Sequence, residues 1–394
     1  MNGTTLSKTE LAAWRSLLAR PDGKGLLFSA GIYLLASLAF PFASITALCG
    51  LFIAACIVLL LTRTHSFPTL LAPGIPALVL FTFSGSVSLP AVFFAIIFGG
   101  AAGAILLSSA RNVRDVLPML ALPPLSFFAA WLISGNPLIG LLTLIPLPVA
   151  LVGTFCVRRC KSFCGAIAAI GATLLAVLLA VLLITIAAIN PANLDLAAHL
   201  PELISLLEET VLKAVNEMAA LYPEMAITTV FTPTMIHNMI ALMINLSPGI
   251  ITALTLIVAY FVWRMLCTLL VALGMLPRLP RVFVTPLPSP VSAILFILAF
   301  LVSFFAGSAY TQVGAVAENF TLILTPLFSL IGFGVFFSRQ TKRSCLSVLL
   351  LIGLAYLLFN NPPLALTLAA LYGAIHSLIV THRGAKNTNS KGEP

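Results

Sequence analysis

The sequence predicts an all-α, polytopic transmembrane helical bundle of about 12 spans with one amphipathic helix outside the membrane. Of the 394 residues, 60% are hydrophobic and only 8% are charged, and the mean hydropathy is +1.14. A soluble domain contains about 25% charged residues, and a folded chain still exposes much of its surface to water. The composition therefore excludes an ordinary soluble enzyme, a disordered chain, a secreted disulfide scaffold and a nucleic-acid-binding protein.

Apolar segments recur along the chain at lengths close to the roughly 20 residues that cross a bilayer. We predict spans at residues 25–40, 42–61, 67–84, 90–110, 116–134, 138–156, 165–189, 238–263, 287–309, 320–338, 345–359 and 363–381. The first and the eleventh are short, so they must tilt little or thin the bilayer locally. The hairpin at Pro41 leaves two alternatives open for 25–61, which is either two spans or one span with a re-entrant piece.

The distribution of basic residues predicts the orientation of the chain. There are 20 Lys and Arg against 11 Asp and Glu, a net charge of +9. With the N-terminus inside, 18 of the 20 basic residues fall on the inner side, leaving Lys213 outside and Arg264 at span eight. Cytoplasmic loops collect Lys and Arg, so both termini are expected in the cytoplasm and the spans in the cell membrane. The polar first 24 residues lead into an uncleaved start-transfer segment.

The spans and loops divide the chain into five regions. They are a cytoplasmic N-terminal segment at 1–24, a seven-span bundle at 25–189, an extracytoplasmic loop at 190–237, a five-span bundle at 238–382 and a disordered cytoplasmic tail at 383–394.

The 190–237 loop holds six of the eleven acidic residues and an amphipathic helix. Pro201 suits the first turn of that helix. An apolar stripe follows at spacings of three and four, formed by Leu203, Leu207, Val211, Ala214, Met218 and Leu221. The helix is expected either to cap the outer ends of the spans as a lid or to serve as a simple connector between the two bundles.

A candidate small-molecule site surrounds an interruption in span eight, where Ser247 is followed by Pro248 and Gly249. Such an interruption frees backbone carbonyls, and in transporters the resulting half-helix ends face the substrate. The alternative is a kink whose freed groups are satisfied by neighbouring helices. The candidate substrate-binding residues are Asn245, Ser247, Glu318, Asn319 and His376.

Two further patterns have competing interpretations. Cys156, Cys160 and Cys164 recur every four residues on one predicted helix face, beside basic residues that can lower a thiol pKa. Without accompanying ligands we expect apolar filler or palmitoylation sites rather than a metal centre. Arg264 lies either at the cytoplasmic interface beside Trp263, which avoids a buried charge, or inside the membrane.

From Pro248 onward the chain resembles the C-terminal half of the YybS-like family of bacterial membrane proteins. The carrying segments are PGIITALTLIVAYFVWR, LPRLPRVFVTPLPSP, ENFTLILTPLFSLIGFGVFF and LYGAIHSLIVTHRG. The N-terminal half resembles the multi-span region of the same family, which is distantly similar to substrate-binding components of energy-coupling-factor vitamin transporters. The resemblance implies a membrane bundle and transfers no ligand or catalytic residue.

These observations favour a permease-like protein that binds or transports a small molecule. The spans contain no paired carboxylates, and the chain has no phosphate-binding glycine loop or catalytic motif, so we expect no enzyme activity, cofactor or metal. The expected partners are the lipid bilayer and a cytoplasmic ATPase or another membrane protein, and no nucleic acid. The alternative is a non-transporting scaffold or regulatory protein that recruits cytoplasmic partners through its basic loops.

The orientation can be tested by thiol labelling in a cysteine-free background. A membrane-impermeant reagent is expected to label Glu208→Cys in intact cells, because the loop at 190–237 is predicted outside. Lys342→Cys, on a predicted inner loop, should react only after the cells are permeabilised. Labelling in the reverse pattern would contradict the orientation.

Overall fold

The computed structural model describes residues 14, 16, 18–19, 23–39, 95–110, 113–189, 196–221, 231–284, 290–305, 312–339, 353, 356–357 and 359–389. Nearly all of these residues are helical and none belongs to a strand, which confirms the all-α prediction. The spans predicted at 42–61 and 67–84, the hairpin at Pro41 and most of the span at 345–359 lie outside the described residues.

The helices in chain order are α1 (Gly23–Ala39), a π-helical turn (Ala95–Gly99) that continues into α2 (Gly100–Ser109), α3 (Val113–Ser134), α4 (Pro137–Leu142), α5 (Pro146–Arg158), α6 (Phe163–Ile189), α7 (Leu196–Leu221), α8 (Pro233–Ala272), α9 (Arg281–Val284), α10 (Pro290–Phe305), α11 (Gln312–Arg339) and α12 (Pro362–Asn389).

Length and apolar composition make this a membrane protein. In the described part of the chain, 5 helical segments are long and apolar enough to cross a bilayer: Ile139–Arg158, Phe163–Ile184, Pro233–Ala272, Gln312–Phe336 and Pro362–Val380. Shorter apolar helices occupy Gly25–Leu38, Ile96–Ser109, Leu120–Ser134 and Pro290–Phe305. The count of twelve spans and the side on which each loop lies remain predictions.

Several helices extend beyond the apolar segments that predicted them. Helix α8 covers Pro233–Ala272 rather than 238–263, and α11 begins at Gln312 rather than at 320. Helix α12 continues to Asn389, so residues 383–389 are helical rather than disordered. Helix α7 begins at Leu196, which puts Pro201 inside it and not in its first turn. Hydropathy locates the apolar part of a helix, whereas backbone hydrogen bonding continues through polar residues and sets the ends.

The three cysteines at 156, 160 and 164 do not share one helix face. Helix α5 ends at Arg158, Cys160 adopts φ +48°, and α6 begins at Phe163. The thiols therefore belong to two helices and the turn between them. Burial raises the pKa of the Cys160 thiol, the opposite of the lowering that basic neighbours can cause.

One compact unit comprises residues 1–177 and 254–287. Helix α2 packs against α5 and α1 in this unit. The Arg158 Nη2 donates to the carbonyls of Leu107, at 2.8 Å, and Ala110, at 2.7 Å. These carbonyls lie at the C-terminal end of α2, where backbone acceptors lack helical partners and a cation is favourable. Arg158 thus ties α5 to the end of α2.

Aromatic side chains hold the segment after α8 in the same unit. The indole of Trp263, fully buried, donates to the Phe283 carbonyl at 3.0 Å. The rings of Trp263 and Trp14 both pack edge-on against Phe283, with centroids 5.0 and 5.4 Å away. The Trp14 indole also donates to the carbonyl of Val157 at 2.8 Å. Trp14 is therefore part of the packed structure of this unit.

The second unit comprises residues 178–253 and 288–394. Its helices α10, α11 and α12 enclose a core formed by Ala293, Phe296, Phe328, Ile331, Ala370 and Ala374. The contact between α11 and α12 is so close that a Cβ atom on Gly332 would meet the carbonyl of Ala369, and one on Gly373 the carbonyl of Phe328. Small residues allow this approach, which in lipid supplies the van der Waals contact that associates helices.

Substitution of Gly373 by alanine is expected to destabilise the second unit. The new Cβ would lie 2.8 Å from the Gly332 backbone nitrogen, so the two helices must separate. Overpacking of this kind costs about 1–3 kcal/mol, measurable as a lower midpoint of thermal unfolding in detergent.

Gly334→Ala is the matched control, because it adds the same methyl group to α11 at a position with nothing within 4 Å. It should leave stability unchanged or raise it slightly, since alanine is the better helix former. Equal unfolding midpoints for the two variants would contradict the proposed role of the close contact.

Candidate functional site

The Asn319 side chain of α11 is bonded to the backbone of α8 beside Pro248. In a regular helix, the N–H of Gly249 and the carbonyl of Asn245 form one hydrogen-bonded pair. Here Gly249 N–H donates to Asn319 Oδ1 at 2.6 Å, and Asn319 Nδ2 donates to the Asn245 carbonyl at 2.8 Å. Nδ2 also donates to the Ala315 carbonyl at 2.9 Å. One carboxamide thus spans both members of the pair and ties them to α11.

The remaining polar groups around Pro248 are satisfied by α8 itself. Proline has no N–H, so the carbonyl of Ile244 lacks its regular donor. The hydroxyl of Ser247 donates to that carbonyl at 2.8 Å, and the hydroxyl of Thr252 donates to the carbonyl of Pro248 at 2.7 Å. Helix α8 consequently remains continuous from Pro233 to Ala272. The expectation of two half-helices is wrong, and the alternative of a satisfied proline position describes the structure.

Gly249 is needed for the approach of α11 to α8. A Cβ atom at this position would meet Asn319 Oδ1 and would lie 2.9 Å from Asn319 Cα. Any larger residue would displace the carboxamide from the Gly249 N–H. The glycine therefore admits the Asn319 side chain to α8, whereas the donor that Pro248 removes is replaced by the Ser247 hydroxyl.

The structure brings together most of the predicted site residues, in unequal roles. Asn319 and Ser247 make the contacts described above, whereas Asn245 contributes its backbone carbonyl and leaves its side chain exposed. Glu318 is half-buried and directly precedes Asn319 in α11. The contact between α8 and α11 is formed by neutral hydrogen-bonding groups.

His376 lies apart from this cluster. Its ring, half-buried, stacks on Tyr372 one turn earlier in α12, with centroids 6.5 Å apart. It lies less than one turn from Gly373, where α12 touches α11, whereas Asn319 is about 20 Å along α11 from Gly332. The structure therefore does not place His376 with the other four residues.

One polar contact was not identified from the sequence, and one residue considered there, Arg264, has a buried nitrogen atom. The His237 Nδ1 lies 2.6 Å from Glu208 Oε1 and joins the start of α8 to α7, a pair for which no local pattern exists because the residues are 29 apart. The buried Nε of Arg264 has no hydrogen-bond partner within the described ranges. Nowhere in those ranges do three His, Cys, Asp or Glu side chains form a group able to hold a metal.

Replacement of Asn319 by leucine should destabilise the protein. It removes the side-chain hydrogen bonds that join Asn319 to the Gly249 N–H and the Asn245 carbonyl. A typical intramolecular hydrogen bond contributes about 0.5–1.5 kcal/mol to stability, so the midpoint of thermal unfolding in mild detergent should fall.

Asn360→Leu provides the matched control, since the Asn360 side chain is exposed and donates within its own turn, to the Tyr356 carbonyl at 2.9 Å. Its unfolding midpoint should stay close to that of the unmodified protein. If the Asn319 variant were as stable as the control, the carboxamide would not be contributing to the α8–α11 contact.

Comparison of the chain with protein-family models, curated proteins and solved structures finds no match. The resemblance to the YybS-like family therefore rests on the sequence segments alone.

Proposed function

We propose that this protein is a permease-like protein of the cytoplasmic membrane that binds a small polar molecule and passes it across the bilayer. The observation that carries the proposal is the Asn319 carboxamide, bonded to the backbone of an apolar helix beside a proline. Polar residues within membrane-spanning helices are costly in lipid and commonly mark substrate pathways.

The chemistry of the Asn319 contact supports a site that can change partners. The bonds to Gly249 and Asn245 come from a side chain, which can rotate away without unfolding either helix. A ligand that carries a donor and an acceptor side by side, as an amide does, can compete for the same backbone pair. The exposed Asn245 side chain and Glu318 supply further polar contacts at the same level of α8 and α11.

The proposal includes membership of the YybS-like family and a partner that supplies energy. The chain carries no phosphate-binding glycine loop, so a cytoplasmic ATPase or another membrane partner would drive transport. The orientation with both termini in the cytoplasm places most basic loops on the side where such a partner docks.

A second function, that of a non-transporting scaffold, is favoured by one observation. The polar groups around Pro248 already have partners within the protein, from Ser247, Thr252 and Asn319. A contact that is complete without a ligand is equally suited to holding two helices together while the basic loops recruit cytoplasmic proteins.

Ligand-induced stabilisation separates the two functions. A pool of small polar metabolites is screened for a rise in the unfolding midpoint of the purified protein, since a ligand at 100 times its Kd stabilises by about 2.7 kcal/mol. Asn245→Leu should abolish the shift and Asn360→Leu should preserve it.

His376→Leu should also preserve the shift, because His376 lies apart from the Asn319 contact. The transport proposal would be contradicted if no metabolite shifted the midpoint, or if Asn245→Leu kept the full response. A stable stoichiometric partner without an ATPase domain, recovered by cross-linking in cells, would then favour the scaffold.

A further inference from the structure

Helix α7 carries an apolar stripe that is exposed among the described residues. The side chains of Leu207, Val211, Met218 and Leu221 are 41%, 37%, 53% and 73% exposed. Their spacing of four, seven and three residues places them on one side of the helix. The stripe is therefore exposed, and both the cap over the spans and the simple connector stay predictions.

The side of α7 that is partly buried lies beside the stripe rather than opposite it. Half-buried residues recur along this side at Ile204, Glu208, Leu212, Val215 and Ala219. Glu208 Oε1 on this side lies 2.6 Å from His237 Nδ1 at the start of α8. The side opposite the stripe carries a shallow groove lined by α7 residues, among them the exposed Glu209, Lys213, Asn216 and Glu217. The described contacts of α7 therefore involve the side that carries Glu208, and the apolar stripe is left exposed.

The length of the connection keeps α7 close to the end of a span. Only residues 190–195 separate Ile189, the last residue of α6, from Leu196. Fully extended, this connection reaches at most about 25 Å. The first residue of α7 therefore lies within about 25 Å of the last residue of α6.

The surfaces on both sides of α7 are also apolar and exposed. Leu182, Leu183 and Ile184 near the end of α6 are 45–48% exposed, and Met235 and Met239 at the start of α8 are 42% and 44% exposed. In helices that cross a membrane such side chains contact lipid. The stripe of α7 continues this lipid-contacting surface along the chain.

From these observations we propose that α7 lies in the membrane–water interface with Leu207, Val211, Met218 and Leu221 in lipid. An amphipathic helix in this position buries its apolar side at the boundary between headgroups and acyl chains. Its polar side carries Glu208, Glu209 and Glu217 against Lys213, so the fitting surface is zwitterionic lipid rather than the anionic lipid that basic helices prefer. The inference depends on membrane insertion and not on the proposed transport function.

Photo-crosslinking of the full-length protein in phosphatidylcholine vesicles tests this inference. Benzoylphenylalanine replaces Val211 on the stripe and, in a separate variant, Asn216 on the groove side. We expect the variant with benzoylphenylalanine at position 211 to form a phosphatidylcholine adduct, identified by its mass. The variant with the same residue at position 216 should form no such adduct. The same replacement at Met218, a second position on the stripe, keeps the test valid if the Val211 variant fails to fold.

The inference is overturned if both stripe positions give no lipid adduct, or if they crosslink to a second copy of the chain instead. Equal lipid labelling at 211 and 216 would overturn it as well, because the helix would then have no fixed orientation. Ligand-screening results on Asn245 variants do not affect these outcomes, so failure of one proposal is distinguishable from failure of the other.

Discussion

Backbone hydrogen bonding in the absence of water is the constraint on which the second unit depends. A helix in lipid has to satisfy each N–H and carbonyl within the protein, and a proline removes one donor from that set. At Pro248 the response involves a serine, a threonine and the carboxamide of Asn319 from another helix. The result is a continuous α8 and a specific attachment point for α11, so the position that weakens the helix locally also fixes its neighbour.

A protein in lipid must also hold its helices together, and close packing of small residues does this. Apolar side chains gain nothing by leaving lipid for protein, so helices associate through contact area and hydrogen bonds. Gly332 and Gly373 bring α11 and α12 into backbone contact, while Gly249 brings α11 to α8. Helix α11 is consequently the central element of this unit, held on one side by van der Waals contact and on another by the Asn319 bridge.

Stability and ligand binding are linked at Asn319. The Asn319 carboxamide stabilises the fold because it forms hydrogen bonds with the backbone of another helix. A polar solute bound at this position would need the same backbone N–H and carbonyl groups. Glu318 and the exposed Asn245 side chain lie next to it without being required for the α8–α11 contact. This division separates residues available to a ligand from those committed to the helix contact, and it explains why the proposed function depends on Asn245.

The amino-acid sequence alone determined the class of protein, the location of most described helices and the residues around Pro248. These follow from local properties, since apolar length predicts a helix in lipid and a proline–glycine pair predicts a disturbed hydrogen-bonding ladder. Helix ends were less predictable, as α7, α11 and α12 show, because hydropathy does not register where hydrogen bonding continues through polar residues.

Only the tertiary structure decided how the disturbed ladder is repaired, which side of α7 is exposed, and that His376 lies away from Asn319. The paired atoms at Asn319 and Gly249 are 70 residues apart, and those at His237 and Glu208 are 29 apart. No local pattern encodes such pairs, because they form only when separate helices pack at one particular rotation and depth.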